Sequence, residues 1–550
     1  MRVAVLTLAL AAGIAAALPG TAAAALLWSQ PERLSRNGAN GVNTAIDARG
    51  DALAVWGERY GPGRGGNAYS WRAPGGEWSA RRFVNVDEDG EWTYPRVVMT
   101  PLGHATVVWG GADGALLAAD ARPGQAFGPP VAVTGRMPQT HPELAADDAG
   151  NLLVAWPEAD RDERTIGWSV RIASRPAGAS WTAPRTLTDR AAGTVAIAVN
   201  SAGAAAVVWS SADTAEPWIA YRPPAGDFGP PERVPLGAGF AKVALSEAGE
   251  AIVSMPGSLL SAPHSNGERF AVRSPLGEWA EPVELDPLGS ATQLLAERDG
   301  SVSFLVEKPE VASDPREIRY VTRRRDGTIR DSGPIATDAF AASAGTNLRG
   351  DVLVAWTQMS GEGEHWEVPT RVGIAQRRAG LFVPEPLLSE PTAQPRRPAL
   401  NDAQQAVVGW DAASQPGEHP AWVMAAVRED PKLPPLPFPP VVDILPLPDA
   451  ALDPDGGLRV DARCSLSCKL TPSAMLYASK STPLASGRGP SRRLRARARR
   501  GVEVRFGKDA ARSVRKALRQ GRRPWVSISL RARGASPRPV TFSRRVRLER

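Results

Sequence analysis

Asp147-Asp148-Ala149-Gly150-Asn151-Leu152-Leu153-Val154-Ala155-Trp156 is the stretch on which the fold turns. A short polar side chain opens it, and glycine follows three residues later. Aspartate can cap a turn by accepting backbone N–H bonds from the residues ahead of it, and glycine takes the positive φ that a Cβ would oppose. The apolar run that follows is only about five residues long and rich in Val, Leu and Ala. That length suits a strand buried on both faces, because a helix would need about ten residues or more.

The same unit recurs. Glycine returns at Gly50, Gly103, Gly150, Gly203, Gly249, Gly300 and Gly350, and its six steps average 50 residues. Six residues beyond lie Trp56, Trp109, Trp156, Trp209, Met255, Val306 and Trp356; an eighth copy keeps Trp410 but has Gln404 in the glycine position. Three residues before each glycine stand Asp47, Thr100, Asp147, Asn200, Ser246, Glu297 and Asn347. Asp47 and Asp147 look like members of a catalytic series, but turn chemistry accounts for them.

A second motif shares the period: an aromatic, then Pro, then Leu or Val, as in Trp28-Pro31-Leu34, Trp181-Pro184-Leu187, Phe228-Pro231-Val234 and Trp279-Pro282-Leu285. A further strand precedes it, as in Trp218–Arg222 and Arg371–Arg377. Four strands per 50 residues between Trp28 and Asp430 point to an all-β fold, a β-propeller of eight blades, or of seven if the fifth or sixth repeat forms no blade. Ring closure should pair Trp28–Leu34 with the blade near 400–430 and so hide two sheet edges. With 53 Gly and 51 Pro in 550 residues, the composition agrees with a turn-rich chain.

The aromatic-x-x-Pro-x-x-Leu unit followed by Asp-x-x-Gly-x5-Trp resembles secreted propellers of the sialidase-like, Asp-box type, over residues 28–430. The Asp-box proper has Asp two residues before Gly and an aromatic three after, so the offsets differ here. The nearest match to the arginine-bearing Phe/Tyr-Arg-Ile-Pro element of sialidases is Tyr94-Pro95-Arg96-Val97, with Pro and Arg in the other order. No catalytic residue is therefore carried over, and the resemblance implies fold rather than activity.

Residues 1–25 read as a secretory signal peptide, with Arg2, an apolar stretch to Leu18 and Ala-x-Ala sites near Thr21–Ala25. The propeller repeats occupy 26–430, a Pro-rich linker 431–455 and a basic module 456–550. From Gly456 onward there are 26 Lys/Arg against Asp461, Glu503, Asp509 and Glu549, a net of +22; the whole chain carries +7, which leaves −15 for residues 1–455. The module shows strand-like segments at Leu458–Ala462, Val502–Phe506, Trp525–Ala532 and Val540–Leu548. Its one helix has Asp509 as expected N-cap, Val514, Ala517 and Leu518 as apolar stripe, and Gly521 as its end. This layout resembles the small immunoglobulin-like β-sandwich at the C-terminus of surface proteins of GC-rich actinobacteria. Cys464 and Cys468 are the only cysteines, and in an exported chain a disulfide between them is expected.

Sequences for phosphate binding, zinc hydrolysis and serine catalysis are missing. Gly61-Pro62-Gly63-Arg64-Gly65-Gly66 fits G-x-G-x-x-G but has no helix behind it to supply the phosphate site, so it reads as a loop. Asn85-Val86-Asp87-Glu88-Asp89-Gly90 has the front half of a calcium loop, with Arg96 where the last ligand belongs; Asn85, Asp87 and Asp89 are the candidate metal ligands, and no other cofactor is expected. Trp71, Trp168, Trp218, Trp366 and Trp422 stand outside the two repeat offsets. They form either an aromatic ligand-binding ring on one face or a third core position. Arg492, Arg493, Arg495, Arg497, Arg499 and Arg500, with Arg512, Arg515 and Arg519 on the helix, are candidates for contact with an anionic envelope polymer or lipid surface, the alternative being a solvated basic face or a flexible 486–500 loop.

The expected function is that of a secreted or cell-surface binding protein, monomeric and non-enzymatic, whose propeller loops take a glycan or protein while the basic module contacts envelope material. A sialidase-like glycoside hydrolase or lyase and a ligandless envelope spacer are the alternatives. No physiological nucleic-acid partner and no membrane span in the mature chain are expected.

Overall fold

A computed structural model describes residues 26–550 except 62–63, 88–94, 112–113, 135–141, 160–167, 225, 257–267, 286–288, 298, 309–315, 348, 360–368, 379, 387, 389–392, 414–420, 430–441, 445–451, 465–467, 479–482, 496–498, 523, 534–539 and 549–550. The segment read as a signal peptide therefore lies outside the described residues. The chain is nearly all β, with one helix among the described residues. No helix is long and apolar enough to cross a membrane.

The repeat region is a succession of antiparallel meanders. The first runs Ala39–Ile46, Ala52–Gly61, Arg64–Arg72 and Arg82–Asp87, each strand pairing with the next. Four-stranded sheets of the same order follow from Arg96–Met99 to Val131–Thr134, from Lys242–Leu245 to Val283–Glu284, from Ser290–Ala296 to Ile329–Thr337 and from Ala339–Thr346 to Leu381–Glu385. Between the second and third of these, Glu143–Ala146 to Glu232–Arg233 forms one seven-stranded sheet. Its 15-residue strand Arg185–Val199 ends one meander and begins the next. The two repeats that lack the strand-end Trp, around Met255 and Val306, thus make complete four-stranded sheets.

The last sheet closes the ring. Ala406–Ala412 and Trp422–Glu429 pair with each other, and Trp422–Glu429 also takes the N-terminal segment, with Leu27 opposite Glu429, Trp28 opposite Arg428, Glu32 opposite Ala425 and Arg33 opposite Met424. The expected pairing of Trp28–Leu34 with 400–430 is what the register shows. The architecture is a β-propeller.

The turn chemistry holds in every copy. The glycine N–H donates to the carbonyl three residues back, as in Gly150 to Asp147 at 3.0 Å, and all seven glycines have φ between +80° and +91°. Gln404 replaces the eighth at φ +65° and keeps the same bond, to Asn401. The polar residue caps as expected: Asp147 Oδ1 accepts from Asn151 N at 2.8 Å, Asn200 Oδ1 from Ala204 N at 2.9 Å and Asn401 Oδ1 from Gln405 N at 3.0 Å. Trp56, Trp109, Trp156, Trp209, Met255, Val306, Trp356 and Trp410 are all buried. Gly373 is small for a packing reason, since a Cβ there would lie 2.2 Å from the Trp356 ring.

Sequence reading missed a third repeated residue. In five copies an arginine near the end of the third strand reaches back to an acid of the preceding sheet. Arg175 binds Asp120 at 2.6 and 2.8 Å, Arg273 binds Glu232, Arg377 binds Glu297 at 2.7 and 2.8 Å, Arg428 binds Glu385, and Arg72 binds Glu429 across the closure. The aromatic of the second motif covers it: Arg175 lies 5.1 Å from the Trp181 ring centre, Arg222 5.3 Å from Phe228 and Arg428 5.6 Å from Trp28. Guanidinium groups favour such stacked, bidentate settings. The six-residue spacing Arg175-Trp181, Arg222-Phe228, Arg273-Trp279 was legible in the chain.

The C-terminal module is one antiparallel sheet of eight strands, in which Val442–Ile444, Gly457–Cys464, Arg499–Arg505, Pro483–Arg488, Cys468–Tyr477, Trp525–Arg533 and Val540–Arg547 lie in that order and Arg492–Leu494 also pairs with Cys468–Tyr477. Val442–Ile444 falls within the segment read as linker, so the sheet starts before residue 456. The helix spans Lys508–Arg519 and buries Ala510, Ala511, Val514 and Ala517. Its N-cap is Gly507, without a side-chain cap; Asp509 sits inside the first turn and pairs with Arg512, which corrects the expected Asp509 cap. There it still faces the positive end of the helix dipole. Gly521 has φ +70° and donates to the Leu518 carbonyl, ending the helix as expected.

Candidate functional site

The first strands of the repeats surround a single cavity of about 560 Å³, lined by residues of all eight copies from Ile46–Ala48 round to Leu400–Asp402. Counting seven residues back from each repeat glycine, or from Gln404, gives Asn43, Arg96, Glu143, Ala196, Lys242, Gln293, Ser343 and Arg397. These residues lie on or beside the first strand of each repeat, ahead of its glycine turn, and most are polar. They stitch neighbouring sheets together. Asn43 Nδ2 donates to the Pro95 carbonyl at 3.0 Å, Arg96 Nη2 to Glu143 Oε1 at 3.0 Å, and the Gln293 amide exchanges two 2.9 Å bonds with the Ala344 backbone.

Arg397 stands apart. Its Nε donates to the Ala344 carbonyl at 3.1 Å, and the rest of the guanidinium faces the cavity. The group is exposed to the cavity space and at the same time surrounded by protein, and this burial lowers its pKa while the Glu143 charge opposes the shift. Arginine stays protonated. Arg397 is thus a fixed cation at a cavity whose other charged lining residues are carboxylates, Glu143, Asp148, Glu247 and Asp402 among them.

The tryptophans divide. Trp71 is buried in the core with Leu53, Val55 and Trp109, and its indole N–H donates to the Gln125 carbonyl at 3.1 Å. It is a core residue, which corrects its place in an aromatic ring. Trp168, Trp218 and Trp422 are half-buried, and each lies at or next to the start of its third strand. Register puts that strand end on the same side of the sheet as the polar ring: Glu143 pairs with Ala155, and Ala159 farther along the same strand pairs with Trp168. The Arg33 guanidinium lies 4.7 Å from the Trp422 ring centre. Trp366 lies outside the described residues.

Of the calcium-loop candidates, the Asn85 side chain is the one described. Asn85 Oδ1 accepts from the Asn67 backbone N–H at 3.2 Å and from Asn67 Nδ2 at 3.0 Å, so its oxygen is already engaged. Asp89 and the Asp87 side chain lie outside the described residues, and among the described residues no three His, Cys, Asp or Glu side chains gather as a metal would need. At the ends of the glycine-rich stretch Gly61 lies opposite Arg64 on paired antiparallel strands. Arg96 is a strand residue paired with Glu143.

In the basic module, Arg492, Arg493, Arg495, Arg500, Arg512, Arg515 and Arg519 are exposed; Arg497 and the Arg499 side chain lie outside the described residues. Pro483–Arg488 and Arg492–Leu494 are strands, so the 486–500 stretch holds sheet structure. Cys464 ends one strand and Cys468, buried, begins the next.

One buried acid pair was unread in the sequence. The capping residue and the residue after the glycine meet in several copies: Asn151 Nδ2 donates to Asp147 Oδ2 at 2.7 Å, Asn347 Nδ2 to Asp351 Oδ2 at 2.8 Å, and Asn401 Nδ2 to Gln405 Oε1 at 2.9 Å. In the first copy both partners are acids, Asp47 and Asp51, each almost fully buried. Burial first and the Asp47 charge second push the Asp51 carboxyl up to about 8, against the pull of Arg49 at 3.3 Å; burial raises Asp47 as well. A folded-state pKa above the unfolded one means that the folded chain holds the extra proton. Stability from this group is then complete below about pH 4 and is lost as pH rises to about 8. Asp51→Asn should flatten that fall and raise stability at pH 8–9 by roughly 2 kcal/mol, read as the change in denaturation midpoint with pH. An unchanged slope would mean the pair shares no proton.

No family model and no curated protein matches the chain. Among solved structures, a copper-containing fungal alcohol oxidase of the AA5 family is similar at 10% identity over 95% of this chain and 99% of that one, with TM-score 0.41. A PL25 ulvan lyase is similar at 12% identity over 71% and 95%, with TM-score 0.36, and an α-L-arabinanase of Penicillium chrysogenum at 14% over 62% and 94%, with TM-score 0.32. These are likenesses of chain path, and no residue role is taken from them.

Proposed function

We propose that the chain is a secreted or envelope-associated binding protein, an eight-bladed propeller that takes a glycan or a peptide at one end of its axis, with the basic module as a second contact to anionic envelope material. The observation that carries the reading is the cavity that all eight repeats line, with Arg397 and Glu143 on its wall, and with Trp168, Trp218 and Trp422 half-buried against the blade cores outside its lining. A cavity of about 560 Å³ is of ligand size, and its wall carries many polar and charged groups that can fix a ligand's orientation. Half-exposed indoles add stacking area. Secretion and a Cys464–Cys468 disulfide belong to the same proposal.

A hydrolase would need two free carboxylates. Asp47 and Asp147 accept backbone N–H bonds and Glu143 pairs with Arg96, while Asp148, Glu247 and Asp402 also line the cavity. The test is calorimetric titration of the purified protein with a panel of acidic and neutral oligosaccharides and peptides. Arg397→Ala should weaken binding of an acidic hit about tenfold or more, and Trp218→Ala several-fold. Binding that both variants keep at full strength would place the ligand elsewhere.

A further inference from the structure

The outward face of the basic module's sheet carries three cations side by side. Lys469 lies directly opposite Arg533 on one neighbouring strand and opposite Arg493 on the other. All three are exposed, while the residues next to them on the other face, Leu470, Ala532 and Leu494, are buried in the core. Adjacent strands are about 5 Å apart, so the row holds one positive charge per strand. Like charges directly opposite one another destabilise a sheet, and among the described residues none of the three forms an ion pair. The strands Cys468–Tyr477, Pro483–Arg488, Arg492–Leu494, Trp525–Arg533 and Val540–Arg547 contain no Asp or Glu at all.

We propose that this face binds a linear acidic polysaccharide, one bearing uronate, sulfate or phosphate groups along its length. The inference rests on the reading of the module as a contact to anionic material, and it narrows that contact from the whole arginine set to the sheet, where Arg493 is joined by Lys469 and Arg533. Arg512 on the helix is already paired with Asp509, whereas the sheet row is uncompensated. An extended polymer with regularly spaced charges matches a row of cations about 5 Å apart.

Beyond the row, Arg531 lies opposite Thr471, whose hydroxyl is 2.8 Å from that of Ser491. Ser473 and Arg488 form the next pair. Hydroxyls interleaved with guanidinium groups suit a partner that offers hydroxyls and acids together. At the far end Tyr477 and Trp525 stack at 4.0 Å and 7° between planes. Exposed apolar surface near them comes chiefly from Met475 and Leu484, too little for insertion into a bilayer.

The experiment uses the full chain and its binding to polyuronate, with neutral dextran as control, at low and high salt. Duplex DNA and phosphatidylglycerol vesicles form the other arms. Lys469→Glu should weaken polyuronate binding at least tenfold, while its melting temperature stays level or rises, because an acid then sits between two cations. Arg515→Glu should change binding less than twofold. If Arg515→Glu removes binding and Lys469→Glu does not, the module reading stands and this face is wrong. Tight binding to DNA or vesicles with none to polyuronate overturns the glycan assignment. A wild-type chain that holds none of these polyanions at low salt ends the reading of the module itself.

Discussion

Trp156→Ala is expected to cost the propeller about 3–5 kcal/mol, the range for truncating a large buried aromatic. Trp156 is fully buried among Val108, Leu116, Ala118 and Val133 of the preceding sheet and Val154 and Ala173 of its own. The ring therefore fills the seam between two blades, and its loss leaves a cavity that neither sheet can close alone. Its N–H points to Glu158 Oε2 at 3.4 Å, and Glu158 also receives Arg171 at 2.9 Å. Trp156→Phe should keep most of the packing and lose less. Denaturant midpoints of both variants check this; an Ala variant within 1 kcal/mol of wild type would refute a core role for the repeated strand-end tryptophan.

Arg428→Met should cost a similar amount, about 3–5 kcal/mol, for an electrostatic reason. The guanidinium is almost fully buried and binds Glu385 at 2.5 Å, Gln376 Oε1 at 2.9 Å and the Gln404 carbonyl at 2.9 and 3.1 Å. Trp28, from the N-terminal segment, lies over it and also donates its indole N–H to Glu385. Methionine would fill the space but leave a carboxylate without its cation at the point where the ring closes. The predicted consequence is local as well as global: cleavage by a protease within Leu27–Leu34 should speed up before the rest of the propeller is attacked. Slow cleavage there, with a midpoint like wild type, would mean that closure rests on the backbone ladder rather than on this arginine.

The repeat, the turn chemistry, the strand-end core and the ring closure were all legible in the chain. Each depends on neighbours within about ten residues or on a fixed 50-residue period. The Asp509 cap went wrong by local competition: Gly507 already occupies the cap with φ +91°, which leaves Asp509 in the first turn to pair with Arg512. Trp71 was ambiguous because a tryptophan near a strand end can face solvent or a neighbouring blade. Contact with Trp109, in the next repeat, settles it. The partner of Asn85 was unreadable for a similar reason, since Asn67, which engages it, lies 18 residues away on a paired strand.

What the sequence by itself determined is the repeating unit: polar cap, positive-φ glycine, buried strand and aromatic, all set by local sterics and hydrogen bonding and therefore readable from spacing alone. What the tertiary structure decided is everything that arises when units meet. The arginine clasps, the polar ring that includes Arg397 and the row Arg493–Lys469–Arg533 join residues tens to hundreds apart in the chain, on strands whose register a sequence does not print. Charges become a site when sheet geometry brings them within a few ångströms, and that distance is a property of the fold.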